Sequence, residues 1–215
     1  MPHGGPEARD EWGFDWLAQF FASQGFAVIQ PNFRGSTGYG DAWYQKNGYK
    51  GWKTAIGDVT NAGRWLVAEG IAKPSALSIV GWSYGGYAAL QSAVVAPDLF
   101  KAVVAIAPVT DLSQHKSDSR GYYSSAVQRE RIGNGPHIAE GSPAQNVDKI
   151  KAPVLLFHGD YDQNVDVTQS RLMESKLKGA GKSVTYYEYP KLAHGLHDAR
   201  VRAEMLQKSL DFLPK

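Results

Sequence analysis

Short apolar runs recur along this chain, each followed by a turn and then by a stretch in which apolar residues return every three or four positions. The runs are Phe26–Gln30, Leu77–Gly81, Ala102–Ala107, Val154–His158 and Val184–Tyr189. The first four are near-continuous in aliphatic and aromatic residues, as expected of parallel strands covered on both faces. Helical patterns lie at about 10–24, 53–69, 84–96, 168–179 and 199–212. Gly25 and Gly70 stand where a helix needs a left-handed residue to end. Strands alternating with helices predict a doubly wound, mostly parallel α/β sheet. Residues 111–149 break the rhythm. They are rich in Ser, Tyr, His and Gly and read as an excursion over the C-terminal edge of the sheet, where ligands bind in such folds. With no repeat, low-complexity tract or linker in view, residues 1–215 are expected to form a single domain.

Composition narrows the chemistry. The 215 residues are 43% hydrophobic and 20% charged, enough for a substantial core. A net charge of +2 argues against nucleic acid or an anionic membrane as partner. There is no cysteine, which excludes disulfides, thiolate metal sites and a cysteine nucleophile but leaves the compartment open. Apolar runs such as Ala102–Ala107 are far too short to span a bilayer, and residues 1–20 lack the basic-then-apolar pattern of an export signal.

Gly81-Trp82-Ser83-Tyr84-Gly85 matches G-x-S-x-G, the tight strand-to-helix turn that lifts a serine hydroxyl above a sheet. The pattern is weak alone, but a predicted strand precedes it and a helical pattern follows. A serine hydroxyl needs a base to become a nucleophile, and the base needs a carboxylate to orient it. In hydrolases with this turn the acid comes next along the chain and the histidine last. Strand Val154–His158 runs into Gly159-Asp160-Tyr161-Asp162, and strand Val184–Tyr189 runs into a loop carrying His194. Ser83, Asp162 and His194 are therefore the expected triad, with Asp160 and Asp166 as rival acids and His197 as rival base. His3, His115, His137 and His158 are expected to be loop or packing residues. A metal on His194 and His197 is not expected, because no further ligand cluster accompanies them. The oxyanion of a tetrahedral intermediate needs fixed N–H donors. One is the Tyr84 backbone, and the other is expected from Gly4 or Gly5 in the opening His3-Gly4-Gly5-Pro6.

Taken together these segments resemble the catalytic domain of the prolyl oligopeptidase family of serine peptidases, nearest its acylaminoacyl-peptidase and dipeptidyl-peptidase-like members. The segments are HGGP at 3–6, NFRGSTGYG at 32–40, GWSYGGY at 81–87, HGDYDQNV at 158–165 and LAHG at 192–195. The resemblance covers the chain from His3 onward. It implies an α/β-hydrolase fold, no cofactor, the triad Ser83, Asp162 and His194, and an oxyanion site at Tyr84 with Gly4 or Gly5. It further implies that Asn164 binds a peptide carbonyl, and that Tyr84, Val109, Leu112 and Val165 build an apolar specificity pocket. For Arg34, in the NFRG turn, a structural role and a substrate contact both fit.

The chain also departs from the family pattern. The resemblance leads one to expect an N-terminal propeller and, before the oxyanion loop, three strands that these residues do not include. Met1-Pro2 thus reads as an internal start within a longer protein, that is, as an N-terminally truncated hydrolase fold. One absent strand is expected to lie between Phe26–Gln30 and Leu77–Gly81. One of three outcomes is then expected: direct pairing of the flanking strands, a strand supplied by another chain (including a homo-oligomer through the exposed sheet), or marginal stability. The leading functional reading is a peptidase acting on short peptides through an acyl-enzyme. A carboxylesterase of the same mechanism and an inactive fragment are the alternatives.

Overall fold

The computed structural model describes residues 1–44, 48–120 and 125–214. Four strands pair in parallel in the order β1-β2-β3-β4: β1 is Ile79–Trp82, β2 Val103–Ile106, β3 Val154–Gly159 and β4 Val184–Tyr189. In register, Gly81 lies opposite Ala105, Ala105 opposite Leu156 and Leu156 opposite Tyr186, so the C-terminal ends of the strands form one rim. Alternation explains the near-continuous apolar runs. Val103, Ala105, Val154 and Leu156 enter one core cluster, while Val104, Ile106, Leu155 and Phe157 enter the other. The edge strand β4 is only partly covered, and its sequence is accordingly mixed.

Helices α1 (Trp16–Ser23), α2 (Asp41–Tyr44), α3 (Trp52–Ala68), α4 (Tyr84–Val95) and α5 (Leu112–Asp118) come first. They are followed by α6 (Ser125–Ile132), α7 (His137–Glu140), α8 (Thr168–Gly179) and α9 (Ala199–Phe212). Helices α3, α4 and α8 feed the first cluster, and α1 and α9 the second. Eleven of the twelve residues of α4 are buried, which is why its sequence shows no polar face. α5 to α7 fall in the expected excursion, of which residues 121–124 lie outside the described residues. No helix among the described residues is long and apolar enough to cross a membrane.

Two expectations need correction. The helical pattern at 10–24 becomes a helix only at Trp16, because Asp15 caps it by accepting from the Ala18 N–H at 2.8 Å. Upstream, Asp10 is tied to Asn32 instead, by its N–H to Oδ1 at 2.8 Å and its carbonyl to Nδ2 at 3.0 Å. The second correction concerns Phe26–Gln30, which lies outside the sheet. An open slot of about 360 Å³ separates it from β1, with Phe26, Ala27, Val28 and Ile29 on one side and Leu77, Ser78 and Val80 on the other. The direct pairing considered from the sequence does not occur. Ile79 and Ser83 donate their N–H groups to Ala102 and Ile106 of the β2 segment. Strand alternation therefore turns the backbone groups of Val80 toward the slot, while the Trp82 carbonyl lies beside Gly4 of the opening loop. Met1 reaches the far wall, its amino group donating to the Ile29 carbonyl at 2.7 Å.

Candidate active site

The nucleophile turn is forced by close packing. Ser83 takes φ 59° and ψ −121°, a conformation that side chains rarely adopt. A Cβ on Gly81 would collide with the Gly85 carbonyl, and one on Gly85 with the Pro2 carbonyl, so both flanking positions require glycine. Tyr84 opens α4, and as its first residue has an N–H without a partner inside the helix. The oxyanion loop comes close on the other side: a Cβ on Gly4 would meet the Ser83 Cβ at 3.6 Å. Gly5 has φ 123° and no room for a side chain beside Glu7. The loop is anchored by His3, stacked on Phe33 with centroids 4.3 Å apart and hydrogen-bonded through Nε2 to Ser36 Oγ at 2.7 Å.

The expected acid and base meet across two strand ends. His194 Nδ1 lies 2.6 Å from Asp162 Oδ2, with the Asp162 side chain fully buried and that of His194 20% exposed. Burial pushes the Asp162 carboxyl up, but hydrogen bonds from His158 and His194 outweigh it and hold the group well below the usual carboxylate range. Oδ1 is occupied as well, accepting from the Asn164 N–H at 2.8 Å and the Val165 N–H at 3.0 Å. No hydrogen bond joins Ser83 to His194 among the described residues; in unliganded sites this contact is often long and tightens with substrate.

The rival residues have other partners. Asp160 accepts from the Lys191 N–H at 2.5 Å and so braces the loop that carries His194. Asp166 accepts from the Thr168 N–H at 2.9 Å at the start of α8. His197 Nδ1 meets the Arg202 guanidinium at 2.9 Å. Arg34 grips Asp58 with two side-chain bonds, at 2.8 and 2.6 Å, while its N–H also reaches Asp58, a structural clamp on the NFRG turn. Tyr84, Val109, Leu112 and Val165 all belong to the buried core, where a substrate side chain could meet them only as the floor of a pocket. Asn164 is exposed.

The contacts of three residues were not legible in the sequence. The Trp82 indole donates to the His194 carbonyl at 3.0 Å, and the Arg202 guanidinium donates to the Gly195 and Leu196 carbonyls at 2.8 and 3.1 Å. His158, expected to be a packing residue, touches the acid itself, with Nε2 3.1 Å from Asp162 Oδ2. The only sequence signal for it was position: four residues before the acid, at the end of the strand that delivers it.

Comparison with known proteins matches residues 12–215 to the family model described as prolyl oligopeptidase family. The chain belongs to the prolyl oligopeptidase family. It is 33% identical over 204 residues to dipeptidyl aminopeptidase BIII of Pseudoxanthomonas mexicana, covering 91% of this chain and 30% of that protein. Its fold superposes on a puromycin-hydrolyzing peptidase of Mycobacterium tuberculosis with a TM-score of 0.91 and 30% identity, covering 98% of this chain and 32% of that one. An acylaminoacyl peptidase in complex with Z-Gly-Gly-Phe-chloromethyl ketone gives 0.87 and 28%, with 98% and 35% covered. The sheet and its helices are thus the α/β-hydrolase catalytic fold of this family, and the chain spans about a third of the length of these relatives.

Proposed function

We propose that this chain carries the serine-peptidase chemistry of the prolyl oligopeptidase family on Ser83, Asp162 and His194. The observation that carries the reading is the 2.6 Å contact of His194 Nδ1 with a buried, ionised Asp162, on the same rim as a serine held in the nucleophile turn. In the proposed reaction His194 Nε2 takes the proton of Ser83 Oγ as the oxygen attacks a peptide carbonyl. The N–H groups of Tyr84 and of Gly4 or Gly5 stabilise the oxyanion. His194 then gives the proton to the leaving amine, and water repeats the sequence on the acyl-enzyme. Asp162 holds the Nδ1–H tautomer throughout. Asn164 is assigned to the peptide carbonyl, and Tyr84, Val109, Leu112 and Val165 to the floor of the specificity pocket. The peptidase names of the relatives support short peptides as substrate.

A fluorophosphonate probe tests the chemistry, since it reacts only with an activated serine. Stoichiometric labelling at Ser83 is expected, and no labelling of folded protein would identify an inactive fragment. Faster turnover of aminoacyl anilides than of short acyl esters would support the peptidase, and the reverse would make the chain a carboxylesterase. The open edge of β1 further supports association of two copies through the sheet. A monomer by sedimentation at all concentrations would rule that out.

A further inference from the structure

His158 lies outside the triad, yet it is the second imidazole on the triad acid. Its side chain is fully buried at the end of β3. Nε2 faces two acceptors, Asp162 Oδ2 at 3.1 Å and the Val165 carbonyl at 2.9 Å, and so must carry the hydrogen. Nδ1 faces the Ser170 hydroxyl of α8 at 2.7 Å, which can donate to it and hold that tautomer. An ionised carboxylate offers about four lone-pair sites. Here all four are taken, by Asn164 and Val165 on Oδ1 and by His158 and His194 on Oδ2.

We propose that His158 is a positioning residue for the reaction: its Nε2–H shares Oδ2 of Asp162 with His194, keeping the acid ionised and its carboxylate plane fixed while it orients the base. The role rests on the triad reading. Without the His158 donor, Oδ2 keeps one buried lone pair unsatisfied. More of its negative charge then faces His194, and both the carboxyl and the imidazole take up a proton more readily. The effect on the imidazole moves the acid limb of the activity profile to higher pH, because the carboxyl is held well below the usual carboxylate range. Other titratable groups facing the pair are His115 from α5, with Asp166 before α8 acting on it, and Glu188, opposite His158 in the register of β4. Burial lowers His115 to about 4, and Glu188 is tied to Arg171 at 2.9 Å and Tyr186 at 2.8 Å.

The test is the second-order rate of fluorophosphonate labelling of Ser83 against pH, in the wild type, His158→Leu and His158→Gln, with folding checked by thermal melts. His158→Leu is expected to slow labelling by roughly 10- to 100-fold, the range for losing a hydrogen bond to a charged group. Its acid limb should shift upward, and His158→Gln, which restores an amide donor, should recover most of both. A folded His158→Leu protein with an unmoved limb would reduce His158 to packing, even if its rate fell. Should that variant not fold, Ser170→Ala, which frees Nδ1, is expected to move the limb in the same direction by less. An unmoved limb there would overturn the proposal. Nitrogen NMR of labelled histidine in the wild type gives an independent reading, since a proton on Nδ1 rather than Nε2 of His158 is incompatible with the role. Wild-type protein that does not label would defeat the triad reading and this role with it, whereas labelling with unmoved limbs defeats the role alone.

Discussion

The two sides of the sheet are built differently. β2, β3 and β4 pair with one another, β4 being the outer strand, and the loops carrying Asp162 and His194 brace one another. Asp160 holds Lys191, the Tyr161 N–H reaches the Leu192 carbonyl at 3.0 Å, and Arg202 holds the carbonyls after His194. On the other side β1 presents a free edge to a slot, and the oxyanion loop beyond it depends on His3, Phe33 and Ser36. Ser83, the proposed nucleophile, stands on the seam between the two. The proposed proton-transfer pair is therefore held by the closed side, while the proposed second oxyanion donor depends on the open one.

The largest effect expected is at the seam. Ser83→Ala should lower turnover by about 10⁶ with the fold retained, because no other serine among the described residues occupies such a turn. Retention of more than a few per cent of the hydrolysis in clean protein would remove the assignment. On the closed side, Asp162→Asn should lower kcat by about 10⁴, since an amide can hold the wrong imidazole tautomer. Asp160→Asn, which only loosens a loop, should be far milder. A reversal of the two in steady-state kinetics would mean that the wrong carboxylate has been named.

Core truncation reads the asymmetry as stability. Leu155 is 2% exposed within the paired sheet, and Leu77 is 5% exposed but lines the slot. Leu155→Ala should cost about 2–5 kcal/mol, as a cavity opens in rigid surroundings. Leu77→Ala should cost less, because its surroundings are already partly open. Equal losses in urea unfolding would show that the slot is closed in solution. The smallest effect is a pH dependence under the excursion. Burial lowers His115 from the ordinary 6.5 to about 4 in the folded chain. As pH falls, the unfolded chain takes the proton first, so stability is full above about 6.5 and is lost progressively down to about 4. The loss is at most roughly 3 kcal/mol. A His115→Gln variant that melts with the same pH dependence as wild type over this window would refute it.

Local chemistry was legible from the chain. The bounds of β4, α8 and α9 match their sequence patterns residue for residue, because strand and helix there are marked by their own periodicity and, for α9, by Asp198 as cap. The nucleophile turn was legible because two glycines and a serine are what that backbone path tolerates. The order of acid and histidine after it named the pair that the structure brings within 2.6 Å. Choosing Asp162 over Asp160, by contrast, could be argued only from order and loop placement. The distinction lies in which carboxylate turns inward, and both occupy the same turn.

What the sequence determined by itself was therefore the fold class, the turn at Ser83 and the short set of candidates for acid and base, all of which follow from residue type and spacing along the chain. The tertiary structure decided the rest. Phe26–Gln30 has the composition of a strand, yet a strand exists only through the backbone groups of a neighbour, and the slot leaves it without one. His158 has the composition of a packing residue, yet it lies 3.1 Å from Asp162, against the Val165 carbonyl and the Ser170 hydroxyl. A donor's role is set by the acceptors that folding brings to it, and those contacts carry no period or motif that a chain can display.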